Sequence, residues 1–412
     1  MTDSRIFNCR AISRDAGLTW KMPGGCISAG TRWISHKLMR IPFPLVFLLQ
    51  AGCALAGGPM ICLNDQTVTY ASNAMVFRDD PAPGSATFLD LETFPPSART
   101  LEGVPSSVIG PPTTVALVPG TNRAIAVSSM RSQKADGKWS HVPVKTISLL
   151  AFDQGAAPRV AGQIEAGLQP SGLSIAPNGK TALIPNRAEG TLSVLAVDSS
   201  SLRELQRIKV CEPADSMAHV EISPDGLHAV ATLNEARAVL LLGLAGTPKV
   251  LQRIEHGKKP YAARFLPDGK SFAVADIGLD AVTIYKLTGD QAEAIADVPV
   301  GRIPEGLDVS PDGKWIAASC MEGANLTDKD HPKFGQPAKV FLIGKEKDAF
   351  KVAKVLEVEG GPQFAVFSAN GDYLVVSNTR LKQLAFYKTD GGKFTDTGYR
   401  LPVDGEPVAI AR

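Results

Sequence analysis

The chain has 412 residues, of which 44% are hydrophobic and 20% are charged, and its formal net charge is +2. This is the composition of an ordinary globular protein. The near-neutral charge balance excludes the large basic excess that is typical of nucleic-acid-binding proteins, so we expect no nucleic acid among its partners.

The first 56 residues differ from the rest of the chain. Residues 1–38 mix scattered arginines and glycines without hydrophobic periodicity, and we expect them to be a disordered upstream extension. Residues 39–56 have a basic start, an apolar run over residues 41–49 and the small residues Ala54 and Ala56 at their end. This pattern predicts a secretory signal peptide, because the apolar run is too short to span a bilayer.

Cleavage of the signal peptide predicts a periplasmic or secreted mature protein without a transmembrane span. Three cysteines then remain in an oxidising compartment, Cys62, Cys211 and Cys320, so at most one intramolecular disulfide can form. A lipid anchor at Cys53 is disfavoured, because Gln50 stands where lipoprotein signals normally carry an apolar residue.

One phrase recurs five times between residues 170 and 375. Each copy has an alternating strand, a turn containing Asp-Gly or Asn-Gly, and a returning strand, which is the strongest local signal for a β-hairpin. The separations between successive turn glycines are 47, 43, 44 and 58 residues. A period of about 40–50 residues with several short strands predicts propeller blades. The turn glycines are Gly179, Gly226, Gly269, Gly313 and Gly371.

The copies keep their register at single positions. The positions six and four residues before each turn glycine are apolar, and both offsets are even, so these side chains leave the same face of the strand. The position nine residues before the glycine is proline in four copies, as the first residue of a strand permits. The two apolar columns contain Leu173, Val220, Ala263, Leu307 and Ala365, and Ile175, Ile222, Phe265, Val309 and Phe367.

Two incomplete copies lie at the ends of this array. A diverged copy at residues 112–120 places Val115 and Leu117 in the two apolar columns. Another copy begins at Pro407 and stops after a single strand at Arg412. A first strand without a blade of its own has to pair with another part of the chain.

The segment before the repeats supplies that partner. Residues 57–104 contain alternating runs at 66–75 and 85–91, which we interpret as strands of an N-terminal blade that lacks its first strand. We therefore predict an all-β fold, a seven-bladed β-propeller of four-stranded antiparallel blades over residues 57–412. The C-terminal strand joins the N-terminal blade and closes the ring, which removes exposed sheet edges.

The repeats resemble a known family. The stretches SPDGKWIAAS and APNGKTALIPN are similar to the YVTN-type seven-bladed propeller repeat, which is related to the lactonase-type propellers. The resemblance covers about residues 112–412. It implies the propeller fold and leaves the activity open, because one fold hosts unrelated functions.

Blade topology locates a candidate binding surface, which we call the mouth face. The connections that enter strand one and leave strand two of each blade lie on the same face of the disc, and their residues are polar with both signs of charge. Convergent polar groups at such a mouth predict a ligand site. The predicted ligand-binding residues are Asn186, Arg187, His219, Lys259, Tyr261, Asp276, Arg302, Glu305, Gln363, Asn378 and Arg380.

Two insertions point to the same face. They cover residues 133–141 and 322–337, and each falls between the second and third strands of its blade. Long loops in compact folds are often lids or binding loops, so we expect these insertions to cover the axis from two sides. Surface loops that serve no function are the alternative, since insertions there cost little.

Our first functional hypothesis is an exported, monomeric propeller that binds a small molecule or an exported protein at the mouth face without catalysis. The alternative is a lactone hydrolase. The stretch AHVEISPDGLHAVATLNE resembles a lactonase-propeller segment, and this resemblance implies catalytic roles for His219 and Glu235. Ala218 stands where the family has arginine, so Arg302 or Lys259 would have to stabilise the oxyanion from a neighbouring blade.

No cofactor is predicted from the sequence, although a divalent cation has candidate ligands. Asp328, Asp330 and His331 lie close together in the second insertion, in a stretch that lacks the EF-hand pattern. A haem or redox-partner propeller ranks below the other hypotheses. His219 is its only axial candidate, and the chain has no CxxCH attachment motif.

Overall fold

The computed structural model describes residues 57–412, apart from residue 348. The predicted upstream extension and signal peptide lie outside the described residues. Within the described part, no helix is long and apolar enough to cross a bilayer. This part is built from 32 strands and two one-turn 3₁₀ helices, at Pro213–Asp215 and Thr379–Leu381.

The first half of the described chain contributes blades 1, 2 and 3. Its strands are β1 (Pro59–Asp65), β2 (Val68–Ala71), β3 (Ala74–Phe77), β4 (Ser85–Asp90), β5 (Ser97–Glu102), β6 (Val115–Leu117), β7 (Arg123–Val127), β8 (Met130–Ala135), β9 (Lys138–Pro143), β10 (Thr146–Ala151), β11 (Arg159–Glu165), β12 (Ser174–Ile175), β13 (Thr181–Asn186), β14 (Thr191–Val197) and β15 (Leu202–Lys209). Blade 2 has the strand order β6-β7-β10-β11, and blade 3 has the order β12-β13-β14-β15.

The second half contributes blades 4 to 7 and the closing strand. Its strands are β16 (Met217–Ile222), β17 (His228–Leu233), β18 (Ala238–Gly243), β19 (Lys249–Glu255), β20 (Pro260–Phe265), β21 (Ser271–Asp276), β22 (Ala281–Thr288), β23 (Gln291–Pro299), β24 (Pro304–Val309), β25 (Trp315–Cys320), β26 (Ala338–Glu346), β27 (Ala349–Val358), β28 (Ala365–Phe367), β29 (Tyr373–Asn378), β30 (Gln383–Asp390), β31 (Lys393–Pro402) and β32 (Glu406–Ala411). Blades 4 to 7 each take four consecutive strands from β16 to β31.

Strand β32 closes the ring. It pairs antiparallel with β1, so that Ile410 lies opposite Cys62 and Glu406 lies opposite Asp65. Blade 1 therefore has the order β32-β1-β4-β5, in which the chain's last strand is the innermost one. The predicted fold class and the predicted shared blade are both confirmed.

The core is divided among the blade interfaces. Seven clusters of buried apolar residues in the described part each join two neighbouring blades. The two apolar columns contribute residues to these clusters. For example, Leu307 and Val309 of blade 6 pack with Ile284 of blade 5. Full burial of such a side chain stabilises the fold by about 1.5–3 kcal/mol. Cys62 of blade 1 packs with Phe364 of blade 7, so the closing interface has the same construction.

One prediction for the N-terminal segment was wrong. Residues 66–75 do not form a blade strand, because β2 and β3 pair only with each other as a separate hairpin. Ser72 and Asn73 both have positive φ, 45° and 72°, as a two-residue hairpin turn requires. No glycine marks this turn. The run at 85–91 was assigned correctly and corresponds to β4.

The three cysteines of the described chain form no disulfide. Cys62 and Cys320 are buried within the blades, whereas Cys211 is partly exposed. Cys62 lies in the interface between blades 7 and 1, and Cys320 lies in the interface between blades 5 and 6. These two thiols therefore act as small apolar core groups.

Candidate active site at the mouth of the propeller

Three insertions meet on the mouth face. The hairpin β2–β3 follows the second strand of blade 1, the hairpin β8–β9 follows that of blade 2, and residues 321–337 follow that of blade 6. The side-chain amide of Asn73 donates to the carbonyl of Leu326 over 2.9 Å. The ring of Phe77 stacks on Trp139 with centroids 6.1 Å apart. The first hairpin thus contacts both of the insertions that the sequence predicts here.

A cavity of 150 Å³ lies beside the β2–β3 hairpin. Three of the predicted ligand-binding residues, Glu305, Gln363 and Arg380, line this cavity together. The other lining residues come from the β2–β3 hairpin, the chain between blades 1 and 2, the blade 6 insertion and two loops of blade 7. Most of them carry apolar or amide groups. They are Tyr70, Met75, Val108, Ile109, Met321, Asn325, Gly361 and Thr379.

Glu305 is the second residue of β24, where the chain enters blade 6. Burial raises the pKa of its carboxyl to about 7, although the positive charge of Arg302 acts in the opposite direction. A carboxyl group with a pKa near 7 exchanges protons readily at neutral pH, which is the property of a general acid or base. A perturbed carboxyl at a cavity also marks a candidate functional site.

Arg380 is held at the cavity wall by the β2–β3 hairpin. Its guanidinium carbon lies 4.9 Å from the centroid of the Tyr70 ring, and its Nη1 donates to Oδ1 of Asn73. A cation over an aromatic face is attracted by the ring quadrupole, so Tyr70 holds the guanidinium in place. Burial lowers the pKa of Arg380. The sequence predicted Arg380 here, but it missed both partners because they lie on the misassigned hairpin.

Arg302 ties the blade 6 insertion to this site. Its Nε donates to the carbonyl of Glu322 over 2.6 Å, and its Nη2 donates to the side chain of Asn325. The carboxylate of Glu322 in turn accepts from Lys333 over 2.5 Å. Since Asn325 lines the cavity, Arg302 both positions the cavity wall and places a positive charge near Glu305.

Tyr261 adds a hydroxyl on the neighbouring blade. Burial, followed by the nearby charge of Glu305, raises the pKa of Tyr261, and a hydrogen bond from Arg187 acts in the opposite direction. Tyr261 therefore stays protonated at neutral pH. Arg187 also donates through Nε to the hydroxyl of Ser216 over 2.6 Å.

Three predicted residues instead lie at the ends of second strands, and two of them bond neighbouring groups there. The carboxylate of Asp276 accepts four backbone N–H groups in the loops beside β21, from residues 258, 259, 278 and 279. The buried amide of Asn186 donates to Thr191 and Ser193 of the next strand. Asn378 occupies the same position in blade 7, and its amide atoms have no partner among the described residues. Asn186 and Asp276 therefore stabilise the ends of β13 and β21, whereas Asn378 shares their position at the end of β29 without such bonds.

Lys259 and Glu235 form an ion pair away from the cavity lining. Their Nζ and Oε1 atoms are 3.0 Å apart, and about half of each side chain is exposed. No hydrogen bond or ion pair joins Glu235 to His219 among the described residues. The structure therefore does not link the two residues that the family resemblance implies as a catalytic pair.

His219 lies in the central channel. It is fully buried, with Nδ1 2.8 Å from the hydroxyl of Thr113 in blade 2. Its Nε2 lies 3.5 Å from both Arg264 and Glu221. Burial lowers the pKa of the imidazole, while the neighbouring carboxylate opposes that shift. A guanidinium does lie next to His219, but it comes from Arg264 instead of the predicted Arg302 or Lys259.

The channel network continues away from the mouth. Arg264 bonds Glu221 over 3.0 Å and lies 3.8 Å from Asp308, which also pairs with Arg412. These four residues line a second cavity of 270 Å³ between the inner strands. This network was not predicted from the sequence. In the sequence, the network corresponds to a polar position five residues before the turn glycine, between the two apolar columns. Glu221 and Asp308 occupy this position.

The candidate cation ligands make local contacts. Oδ1 of Asp328 accepts the backbone N–H of Asp330 over 3.0 Å, and Nδ1 of His331 accepts the N–H of Lys333 over 3.1 Å. Within residues 57–347 and 349–412, no three His, Cys, Asp or Glu side chains form a group that can hold a metal ion. The structure thus does not bring these three residues together with a further ligand.

Comparisons with known proteins agree on the fold. No family model and no curated protein matches the chain. Two crystal structures of proteins provisionally named 6-phosphogluconolactonase, from Bacteroides uniformis and Bacteroides fragilis, are 19% and 15% identical, with TM-scores of 0.66 and 0.64. The alignments cover 85% and 86% of this chain, and 98% and 97% of the two Bacteroides chains, respectively.

A third solved structure extends this likeness to an exported protein. The periplasmic gluconolactonase PpgL of Pseudomonas aeruginosa is 17% identical, with a TM-score of 0.64, over 86% of this chain and 98% of its own. At these identities the likeness establishes the fold alone. The chain therefore has the seven-bladed architecture of lactonase-like propellers, as the repeat resemblance implies.

Proposed function

We propose that the protein is a lactone hydrolase whose active site is the 150 Å³ cavity at the mouth face. The observation that carries the proposal is Glu305, a carboxyl with a pKa of about 7 that shares this cavity with Arg380 and Gln363. Ester hydrolysis needs a base to activate water and a donor to stabilise the oxyanion. The likeness to proteins named as lactonases supports a lactone as the ester.

In the proposed mechanism, ionised Glu305 removes a proton from a water molecule, whose oxygen attacks the lactone carbonyl carbon. Arg380 stabilises the negative charge that develops on the carbonyl oxygen. The bond between the carbonyl carbon and the ring oxygen then breaks, and protonated Glu305 returns its proton to that oxygen. The product is the open hydroxy acid, and the carboxylate is regenerated without a cofactor.

This proposal moves the base from His219 to Glu305. His219 has no exposed surface and its two ring nitrogens face Thr113, Arg264 and Glu221 within the channel. A carboxylate at an accessible cavity is a better base for a diffusing substrate. Arg380 provides the guanidinium that the lactonase-type propellers carry at the position of Ala218.

We further propose that the mature protein is exported and works as a monomer. The pattern of residues 39–56 supports export, and the closed ring supports a chain that needs no partner to complete its sheets. The substrate would then be a small molecule of the periplasm or the medium. The N-terminus of the mature protein, read by mass spectrometry, tests the predicted cleavage after Ala56.

The catalytic proposal is tested with a panel of lactones and two matched carboxylate variants. Glu305→Gln removes the proposed base, whereas Glu235→Gln removes the carboxylate implied by the family resemblance. We expect Glu305→Gln to lower kcat/KM by about 100-fold or more. Glu235→Gln is expected to leave kcat/KM within about twofold, because an exposed ion pair contributes little. Saturable binding without turnover by the wild type would instead support a binding module, and retained activity in Glu305→Gln would overturn the assignment.

A further inference from the structure

We infer that the mouth cavity selects a compact lactone with an apolar edge over a sugar lactone. The inference rests on the proposed function and narrows its substrate class. Three properties of the cavity carry it: its volume, the distribution of polar and apolar groups around it, and the contacts that hold its outer wall.

The volume limits the part of a ligand that the cavity can enclose. The cavity measures 150 Å³. An apolar cavity of about this volume admits benzene, which has six heavy atoms. An unsubstituted five- or six-membered lactone has about six or seven heavy atoms and is of this size, whereas a six-carbon sugar lactone has about twelve. A phosphorylated sugar lactone is larger still.

The lining divides into a polar and an apolar group. Glu305, Gln363 and Arg380 supply charged and amide groups that an ester can meet, and Asn325, Tyr70 and Thr379 add further polar atoms. The rest of the wall includes Val108 and Ile109 from the chain between blades 1 and 2, Met75 from the β2–β3 hairpin and Met321 from the blade 6 insertion. A ring whose ester lies against Glu305 and Arg380 can place its methylene carbons against these aliphatic and thioether side chains.

This division penalises hydroxyl groups on the ring. A sugar lactone carries a hydroxyl on nearly every ring carbon, and hydroxyls placed against Val108 and Ile109 would exchange water for partners that cannot hydrogen-bond. Methylene groups placed against Val108 and Ile109 stabilise the bound ligand, because burial of apolar surface is favourable. The cavity chemistry therefore favours an alkyl-substituted or unsubstituted lactone.

The hairpin holds the cavity at this size. Asn73 at the hairpin tip bonds Leu326 of the blade 6 insertion and the guanidinium of Arg380. Tyr70 packs over the same guanidinium. At the hairpin base, the ring centroids of Phe77 and His141 of the β8–β9 hairpin are 4.7 Å apart. Three points of attachment resist displacement of the hairpin, so the outer wall of the cavity is held in place in the folded protein.

The test compares the full mature chain on two sets of substrates. γ-Butyrolactone, δ-valerolactone and γ-hexalactone represent compact apolar lactones, and δ-gluconolactone represents the sugar lactones. We expect kcat/KM to be at least about tenfold higher for the best compact lactone, as apolar-pocket discrimination usually provides. Equal or faster turnover of δ-gluconolactone would overturn the inference and leave the hydrolase proposal standing.

Binding of unreactive analogues separates the two proposals. The lactams 2-pyrrolidone and δ-valerolactam have the shape of the compact lactones, and calorimetry compares them with the lactam of gluconic acid. Preferential binding of the small lactams without any lactone turnover would support the ligand class and overturn the hydrolase proposal. Failure of the protein to bind any of the lactams and to turn over any lactone would overturn both.

Two variants locate the selectivity. Val108→Thr adds a hydroxyl to the apolar wall at nearly constant volume, and we expect it to lower kcat/KM for compact lactones by about tenfold. Val250→Thr, at an exposed position on β19, is the matched control and should have no effect. Asn73→Ala loosens the hairpin and should raise the turnover of δ-gluconolactone relative to δ-valerolactone. An unchanged substrate ratio in both Val108→Thr and Asn73→Ala would contradict the inference.

Discussion

The hydroxyl of Thr113 lies 2.8 Å from Nδ1 of His219, so a side chain of blade 2 reaches one of blade 4 inside the channel. Gly172 of blade 3 leaves the space for this contact, because a Cβ atom there would lie 2.7 Å from the same nitrogen. The imidazole is thereby tied to the channel network of Arg264 and Glu221. We conclude that His219 supports the inner strands.

Replacing His219 with glutamine tests that conclusion. The variant loses the contact with Thr113 and leaves buried polar atoms unpaired, so we expect the free energy of unfolding to fall by about 1–3 kcal/mol. Lactone turnover should remain within about twofold of the wild type, since small changes away from a site are usually tolerated. Urea denaturation and steady-state kinetics measure the two effects.

A double-mutant cycle provides the control for His219. Thr113→Val should also destabilise the protein, and the double variant should lose less than the sum of the two single losses, because both remove one contact. Loss of turnover in His219→Gln at unchanged stability would instead support the catalytic role implied by the family resemblance.

Glu305 predicts a pH-dependent stability. Its pKa in the folded protein is about 7, above the ordinary value of 4.5, so the folded state binds this proton more tightly than the unfolded state does. The resulting stabilisation is complete below pH 4.5 and is lost as the pH rises through 7. Glu305→Gln cannot titrate, so its stability relative to the wild type should increase between pH 5 and pH 8 by up to about 3 kcal/mol. A difference independent of pH, measured by chemical denaturation, would contradict the assigned pKa.

Closure of the ring depends on β32 and Arg412. The guanidinium of Arg412 bonds Asp308 and the carbonyl of Val309 in blade 6, as well as the carbonyl of Phe367 in blade 7. Removal of residues 407–412 should open the ring and lower the melting temperature by far more than Arg412→Ala. We expect Arg412→Ala to cost about 1.5–3 kcal/mol, the usual contribution of hydrogen bonds to charged groups.

Arg203→Ala on the exposed edge of blade 3 is the control for this comparison and should change the melting temperature little. If the protein lacking residues 407–412 melts like the full chain, the shared first blade does not stabilise the ring.

The turn at Gly313 tests the hairpins of the repeat. Its φ is +71°, a conformation that costs residues with a side chain about 1–2 kcal/mol, and branching at Cβ adds to the strain. Gly313→Val should therefore destabilise the protein by more than 1 kcal/mol, or ~1 °C or more in melting temperature. Lys314→Val, at the next and exposed position, is the control. Equal melting of the two variants would contradict the proposed requirement for glycine.

Much of the fold could be predicted because the repeat encodes side-chain direction. Alternation places Leu307 and Val309 on one face of a strand, and the structure packs both against blade 5. The incomplete strand that begins at Pro407 predicted closure in the same way, since a single strand needs a partner. The β2–β3 hairpin was not predicted in this way because its turn at Ser72 and Asn73 lacks the glycine that marks the other turns.

The site was only partly predictable for a related reason. Topology placed Glu305, Gln363 and Arg380 on one face, and the structure brings them to one cavity. Alternation gives the direction of a side chain but not its depth along the channel, so the burial of His219 was not foreseen. Tyr70, which fixes Arg380, could not be placed without the hairpin.

The pH dependence of kcat/KM for the best lactone substrate tests the central claim most directly. If ionised Glu305 is the base, kcat/KM of the wild type rises with pH through an inflection near 7, where the carboxyl loses its proton. Glu305→Gln should then show no such inflection and about 100-fold lower kcat/KM at pH 8. A wild-type profile without an inflection near 7, or the same profile in Glu305→Gln, would contradict the account.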